Sequence, residues 1–195
     1  MHYTQAQIDQ YWKDYIQSNE KELKERLRFL LDNYNPENKD YLSSPDVYYC
    51  FEEARHAFMM GDFVASIIMC AVTIERQLAK LLDLPYRNPV DEETAKTKTG
   101  WKILEAAKNK QIIDQDLFEK LVTLFDLRNE FVHGISKENT TDKKGTRPQF
   151  KDSIKNAFVW TDPSYAKEIE ENAKKAIKIL FEAHDKLHYS KLNYY

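Results

Sequence analysis

The residue types best suited to chemistry fall in one short run, Asp126-Leu127-Arg128-Asn129-Glu130-Phe131-Val132-His133-Gly134. The apolar positions Leu121, Leu124, Phe125, Val132 and Ile135 lie along one side of a 3.6-residue helix, and that stripe passes through position 128. An arginine there keeps its charge, so it must meet a buried anion or reach water. Asn129 and His133, four residues apart, share the neighbouring face, with Asp126 and Glu130 beside them. Gly134 reads as the first residue past the helix, which places His133 in the last turn. Unpaired carbonyls at that end favour the imidazolium, so His133 is expected to have a raised pKa. The run therefore combines a group that exchanges a proton near neutrality with a fixed positive charge.

Glu75 is the second polar residue out of place. It falls within the stripe Ile68, Ala71/Val72, Ile74, Leu78 and Leu82, surroundings that penalise an unpaired carboxylate. A contact between Glu75 and Arg128 would resolve both anomalies, and that contact is predicted. If the pair is fully buried, replacing Glu75 by Ala would cost on the order of 3–5 kcal/mol, because Arg128 would be stranded.

Other groupings suggest other chemistries. Glu53-x-x-His56 and Glu130-x-x-His133 are both Glu-x-x-His motifs, and two of these with further helical glutamates, Glu75 among them, build a di-iron site in some bundles. Both motifs lie off their helices' apolar stripes, whereas such ligands project into the core. His184 and His188 share a helix face but lack a third ligand, so they are read as a solvated face. Cys50 and Cys70 lie in apolar helical patterns and read as buried free thiols of a reducing compartment, neither with a partner at nucleophile-activating spacing. With no glycine-rich phosphate loop, P-loop hydrolysis and Rossmann hydride transfer are set aside, and no cofactor or metal is expected.

The elements that must position these residues read as helices throughout. The 195 residues carry four glycines and six prolines, few enough to favour helix over strand and turn. Net charge is −3, so any nucleic-acid contact must come from a local patch. The start is polar from Thr4 onward, without a secretory h-region, and the longest apolar run, Phe63 to Val72, is too short to cross a bilayer. A cytoplasmic protein with no membrane partner is expected.

A long helix is predicted over residues 4–34, with Ile8, Trp12, Tyr15, Ile16, Leu23, Leu27, Leu30 and Leu31 as its apolar stripe. A loop follows to Ser44, where Ser44-Pro45-Asp46 signals the N-cap of a second helix that Gly61 ends. Val47, Cys50, Phe51, Ala54, Ala57 and Phe58 should face inward from it. Asp62 is expected to cap a central third helix reaching about Leu82, with a linker from Leu84 to Thr99 and a short helix over Trp101–Lys110. Asp114 or Asp116 caps the helix that ends at His133.

Lys137 to Lys155 carries six basic residues against three acids. It reads as a surface loop and, placed just after His133, as the best candidate for phosphate contact through Lys137, Lys143, Lys144, Arg147 and Lys151. Asp162-Pro163 opens a last long helix with Ile169, Ala173, Ala176, Ile177, Leu180, Phe181 and Leu187 inward. The expected fold is all-α, one domain over 1–195 built as a bundle of five to six helices.

Arg128-Asn129, three further residues and His133 at a helix end resemble the RNxxxH signature of the HEPN superfamily. Two other stretches resemble that family in the same order: Met60-Gly61-Asp62-Phe63 leading to Ile74-Glu75-Arg76-Gln77-Leu78, and Gly100-Trp101-Lys102-Ile103-Leu104. The resemblance covers about residues 45–190 and leaves the helix and loop of 1–44 as an addition. It implies a homodimer and a metal-independent endoribonuclease. Cleaving RNA without metal needs a base for the 2′-OH, an acid for the leaving 5′-oxygen and positive charge for the transition state. Two chains across a two-fold axis would supply two histidines and two arginines to one composite cleft. By the resemblance, His133 is the acid/base, Arg128 stabilises the phosphate and Asn129 orients one or the other, with Glu75, Glu130 and Asp126 in support. The products would be 2′,3′-cyclic phosphate and 5′-hydroxyl ends. The alternative is a catalytically silent RNA-binding or protein-interaction module, and either form could have a cognate antitoxin or defence-system partner.

Overall fold

The computed structural model describes residues 4–34, 44–82, 100–133 and 163–192; of His133 and of residues 163, 164 and 188–192 only the backbone is described. Among the described residues the protein is all-α, with six helices: α1 (Gln5–Asn33), α2 (Pro45–Met60), α3 (Phe63–Leu81), α4 (Gly100–Asn109), α5 (Gln115–His133) and α6 (Pro163–Leu192). The chain divides into two units, Met1–Asn35 and Pro36–Tyr195.

The first unit is α1. Its start is closed by a capping box, in which the Thr4 hydroxyl accepts from the Gln7 N–H and the Gln7 side chain accepts from the Thr4 N–H. Along its length, side chains four apart bond to each other: Gln5 to Asp9, Gln10 to Asp14, Lys24 to Glu20 and Arg26 to Glu22. Most of the expected apolar stripe stays open. Ile8, Trp12, Ile16, Leu27 and Leu31 are exposed, and Leu30 is the buried residue of the helix.

In the second unit, α2 starts at Pro45 with Asp46 in its first turn, as the sequence suggests, but the Ser44 hydroxyl makes no capping bond. Gly61 ends the helix at φ 85°, where the left-handed conformation lets its N–H reach Phe58 O while Asp62 N–H reaches Ala57 O. The same closure after α4 uses Gln111 at φ 57°, a residue with no glycine-like signal in the sequence. Asp62 occupies the N-cap position of α3 without the expected side-chain bond.

Helix α3 is central, touching α2, α4, α5 and α6. Its buried side runs through Ser66, Ile67, Cys70, Ala71, Ile74 and Leu78, so Ile68 and Val72, assigned to the stripe from sequence, are only half-buried. Asp114, not Asp116, caps α5: its Oδ1 accepts from Leu117 N–H at 2.7 Å. All seven residues expected inward from α6 are buried. His184 corrects the reading of a solvated face. It is buried, with its ring 5.3 Å from that of Phe51, because position 184 continues the packed row of Ile177, Leu180 and Phe181.

A group of charges joins the start of α5 to α6. Lys186 lies 3.1 Å from Asp114 and 3.2 Å from both Asp116 and Glu182, and Lys120 lies 2.8 Å from Asp116 and from Glu182. The closing bond to the Leu117 N–H, then Lys186, holds the Asp114 carboxyl below the usual carboxylate range.

Candidate active site

Helices α3, α4 and α5 meet around Arg128. Leu121, Leu124 and Phe125 bury the α5 face that packs in the bundle, and the next turn along that face delivers Arg128. Glu75 reaches it from α3, with Arg128 Nη1 3.6 Å from Glu75 Oε2. The predicted contact is therefore present, in half-open surroundings: the two side chains keep 20% and 25% of their exposure. At 3.6 Å the pair is electrostatic and too long to count as a direct hydrogen bond. The Arg128 Cζ lies 5.2 Å from the centre of the Phe125 ring, a second source of attraction for the cation. Arg128 Nε is buried and meets no acceptor among the described residues.

Gly100 explains how the three helices come so close. A Cβ at this position would run into the Phe125 ring, 2.9 Å from its Cδ1, and would lie 3.2 Å from Glu75 Oε2. The glycine opening α4 thus lets its backbone rest on the aromatic ring beneath Arg128 and beside the carboxylate that faces it. Its place in the sequence signals a helix start; only the packing reveals the missing space for a side chain.

The remaining site residues separate. Asn129 and Asp126 are half-buried on α5, while Glu130 is exposed. Val132 is also exposed, at 48%, which ends the apolar stripe one turn earlier than the sequence suggests. The α5 backbone is helical as far as His133, where the described residues stop, and the His133 side chain lies outside them. Lys137, Lys143, Lys144, Arg147 and Lys151 lie outside them as well.

Tyr165, near the start of α6, is a neighbour that local spacing could not reveal. Burial first, then the negative charges of Glu130 and Glu168, push its phenol pKa up. This places the phenol close enough to feel Glu130 across a sequence gap that carries no periodic signal.

The cysteines are free and buried, as expected. One detail corrects the sequence reading: a cation does sit on Cys50, whose sulfur accepts from Arg76 Nη1 at 3.1 Å. Burial still dominates, so the Cys50 thiol pKa rises despite Arg76, and burial drives Cys70 well above the ordinary thiol range. Neither is poised as a thiolate nucleophile. For the di-iron arrangement, Glu53 and His56 are exposed on α2 and Glu130 is exposed on α5, away from any shared core position. Among the described residues no three His, Cys, Asp or Glu side chains gather as metal ligands, and no helix is long and apolar enough to cross a membrane.

The arrangement offers a fixed cation held by one carboxylate and one aromatic face, with guanidinium N–H groups that the carboxylate does not saturate. Such a group can receive an oxyanion. In comparisons with known proteins, no family model, curated protein or solved structure matches this chain.

Proposed function

We propose that the chain is a metal-independent endoribonuclease of HEPN type, working as a homodimer on cellular RNA in the cytoplasm. The observation that carries this reading is Arg128. It is held 3.6 Å from Glu75 and over Phe125, and among the described residues that carboxylate is too far to accept a direct hydrogen bond from it. A phosphodiester oxygen is the acceptor this reading assigns. Glu75 and Phe125 fix the guanidinium before substrate arrives, so little reorganisation remains when charge builds on the phosphorus.

In the proposed reaction, His133 of one chain takes the proton of the ribose 2′-OH and the 2′-oxygen attacks phosphorus. The P–O5′ bond breaks, and the His133 of the second chain protonates the departing 5′-oxygen. Arg128 neutralises the non-bridging oxygens and Asn129 orients them. The products are a 2′,3′-cyclic phosphate and a 5′-hydroxyl. On this reading Lys137, Lys143, Lys144, Arg147 and Lys151 hold flanking phosphates, and an antitoxin or defence-system partner restrains the activity.

A second reading has its own support: Glu75 already compensates Arg128, which suits a catalytically silent RNA-binding or interaction module in which the pair is structural. The two are separated by incubating wild type and His133→Ala with cellular RNA in EDTA and mapping fragment ends. Cleavage that survives chelation, leaves cyclic phosphates and is lost in the variant is the expected result. Intact RNA with both proteins, at normal fold and dimerisation, would remove the enzyme reading and leave the silent module.

A further inference from the structure

Beside the Arg128 site, α4 presents an aromatic side chain that the bundle does not consume. Trp101 directly follows Gly100, the residue lodged against Phe125 and Glu75, and it remains 45% exposed. An exposed tryptophan is usually free to turn, but this one is tied at two points. Its indole N–H donates to Glu105 Oε1 at 2.9 Å, one helical turn on. Its ring meets Phe118 of α5 edge to face at 6.0 Å. Lys108, a further turn along, sits 4.5 Å above the same Phe118 ring. The indole is therefore oriented before any ligand arrives, which lowers the entropy lost on stacking.

Along its own segment of the chain the charge has one sign in excess. From Gly100 to Lys110, the chain carries Lys102, Lys108 and Lys110 against the single acid Glu105. Glu105 is engaged by the indole, while Lys102 and Lys110 are exposed. In a protein of net charge −3, this segment carries three lysines to one acid, with an aromatic plane among them. Such a combination fits a nucleic-acid strand whose bases are unpaired: lysines take the phosphates and the ring takes a base face. A duplex, whose bases are stacked inside, offers no free face to the indole.

We propose that Trp101 is a stacking platform for an unpaired base of an RNA strand whose phosphate lies at Arg128. The proposal rests on the ribonuclease reading for its substrate and extends it by assigning a residue, Trp101, that meets an unpaired base. Phe118, which braces Trp101, lies ten residues before Arg128 on α5, about 15 Å along the axis. The platform therefore holds a base a few nucleotides from the phosphate at Arg128. Lys102 and Lys108 steady the intervening backbone.

The test is binding to a fluorescein-labelled oligoribonucleotide without secondary structure, carrying 2′-O-methyl groups to block cleavage, against a blunt RNA duplex of equal length with the same modification. The full-length wild type, Trp101→Ala, Trp101→Phe and Arg128→Ala are compared. Wild type is expected to prefer the single strand. Trp101→Ala should weaken that binding by about 5- to 150-fold, the range set by one base–aromatic stack. Trp101→Phe, which keeps an aromatic ring, should recover most of the loss. Removing one base at a time from the strand should reproduce the loss at one position in wild type and change nothing in Trp101→Ala; this arm needs no folding assumption about a variant. If wild type binds the single strand and Trp101→Ala binds it equally well, the platform is refuted while the RNA reading stands. Equal binding of the duplex also refutes it. If wild type binds neither RNA, the ribonuclease reading falls and the platform falls with it.

Discussion

In α1, a 29-residue helix, one residue is buried, whereas the 19-residue α3 buries nine. Both are amphipathic. Helix α1 is closed by its own Thr4–Gln7 capping box and braced by side chains bonding four residues apart, contacts that lie within the helix itself. Helix α3 has no side-chain cap, and it is held by Ile67, Ala71, Ile74 and Leu78 packed among four other helices. Local contacts of the α1 kind contribute tenths of a kcal/mol each, while a buried Leu or Ile contributes about 1.5–3 kcal/mol. The lesson is where function can be carried. A fixed guanidinium–carboxylate geometry needs a scaffold that resists displacement, and Glu75 projects from the helix with the most packing partners.

The largest effect that tests this contrast comes from paired truncations. Ile74→Ala should cost about 2–5 kcal/mol and Ile16→Ala under about 0.5 kcal/mol, read as midpoints of urea unfolding. Equal losses would mean that α1 is held by burial too. Next is Gly100→Ala. The added methyl must displace the Phe125 ring, for an expected loss of about 1–3 kcal/mol. Any binding that depends on Arg128 should weaken with it, and an unaltered protein would remove the close approach as the organiser of the site.

Glu75→Ala follows. The retained exposure of both partners brings the expected cost down from the fully buried case to about 1–2 kcal/mol in the same unfolding experiment. Asp114→Ala should lose about 1 kcal/mol by uncapping α5, whereas Asp114→Asn keeps the cap and loses only the Lys186 contact. Because Asp114 has a lowered pKa in the folded state, its stabilisation is present above the unfolded carboxylate value and is lost as pH falls below about 4. Asp114→Ala should therefore flatten the acid limb of stability against pH, and an unchanged limb would assign acid sensitivity elsewhere. The smallest effect is Thr4→Ala. It should raise amide exchange in the first turn of α1, with a local cost of about 0.5–1 kcal/mol, and leave exchange in α3 unchanged.

The Glu75–Arg128 contact was legible before the fold was known, and for a definite reason. Glu75 and Arg128 each interrupt an apolar stripe, and two opposite charges in such positions resolve each other by pairing. The same reasoning overestimated their burial, because Val132 turns outward and the stripe ends near Phe125. His184 was misread because its polarity was weighed above its position in the row of Ile177, Leu180 and Phe181. The Arg76–Cys50 and Glu130–Tyr165 proximities had no sequence signal, since they join residues distant along the chain.

The sequence by itself determined the helices, their breaks at Pro45 and Gly61, the core residues of α6 and those of α2 except Ala57, which is half-buried. Those follow from backbone limits and a 3.6-residue period, which act within a few residues of the chain. Tertiary structure decided how open the Glu75–Arg128 pair remains, that Gly100 rests on Phe125, and that Trp101 is braced by Phe118 with half its surface free. Each of these depends on the separation between helices, a distance fixed only when all their side chains pack at once.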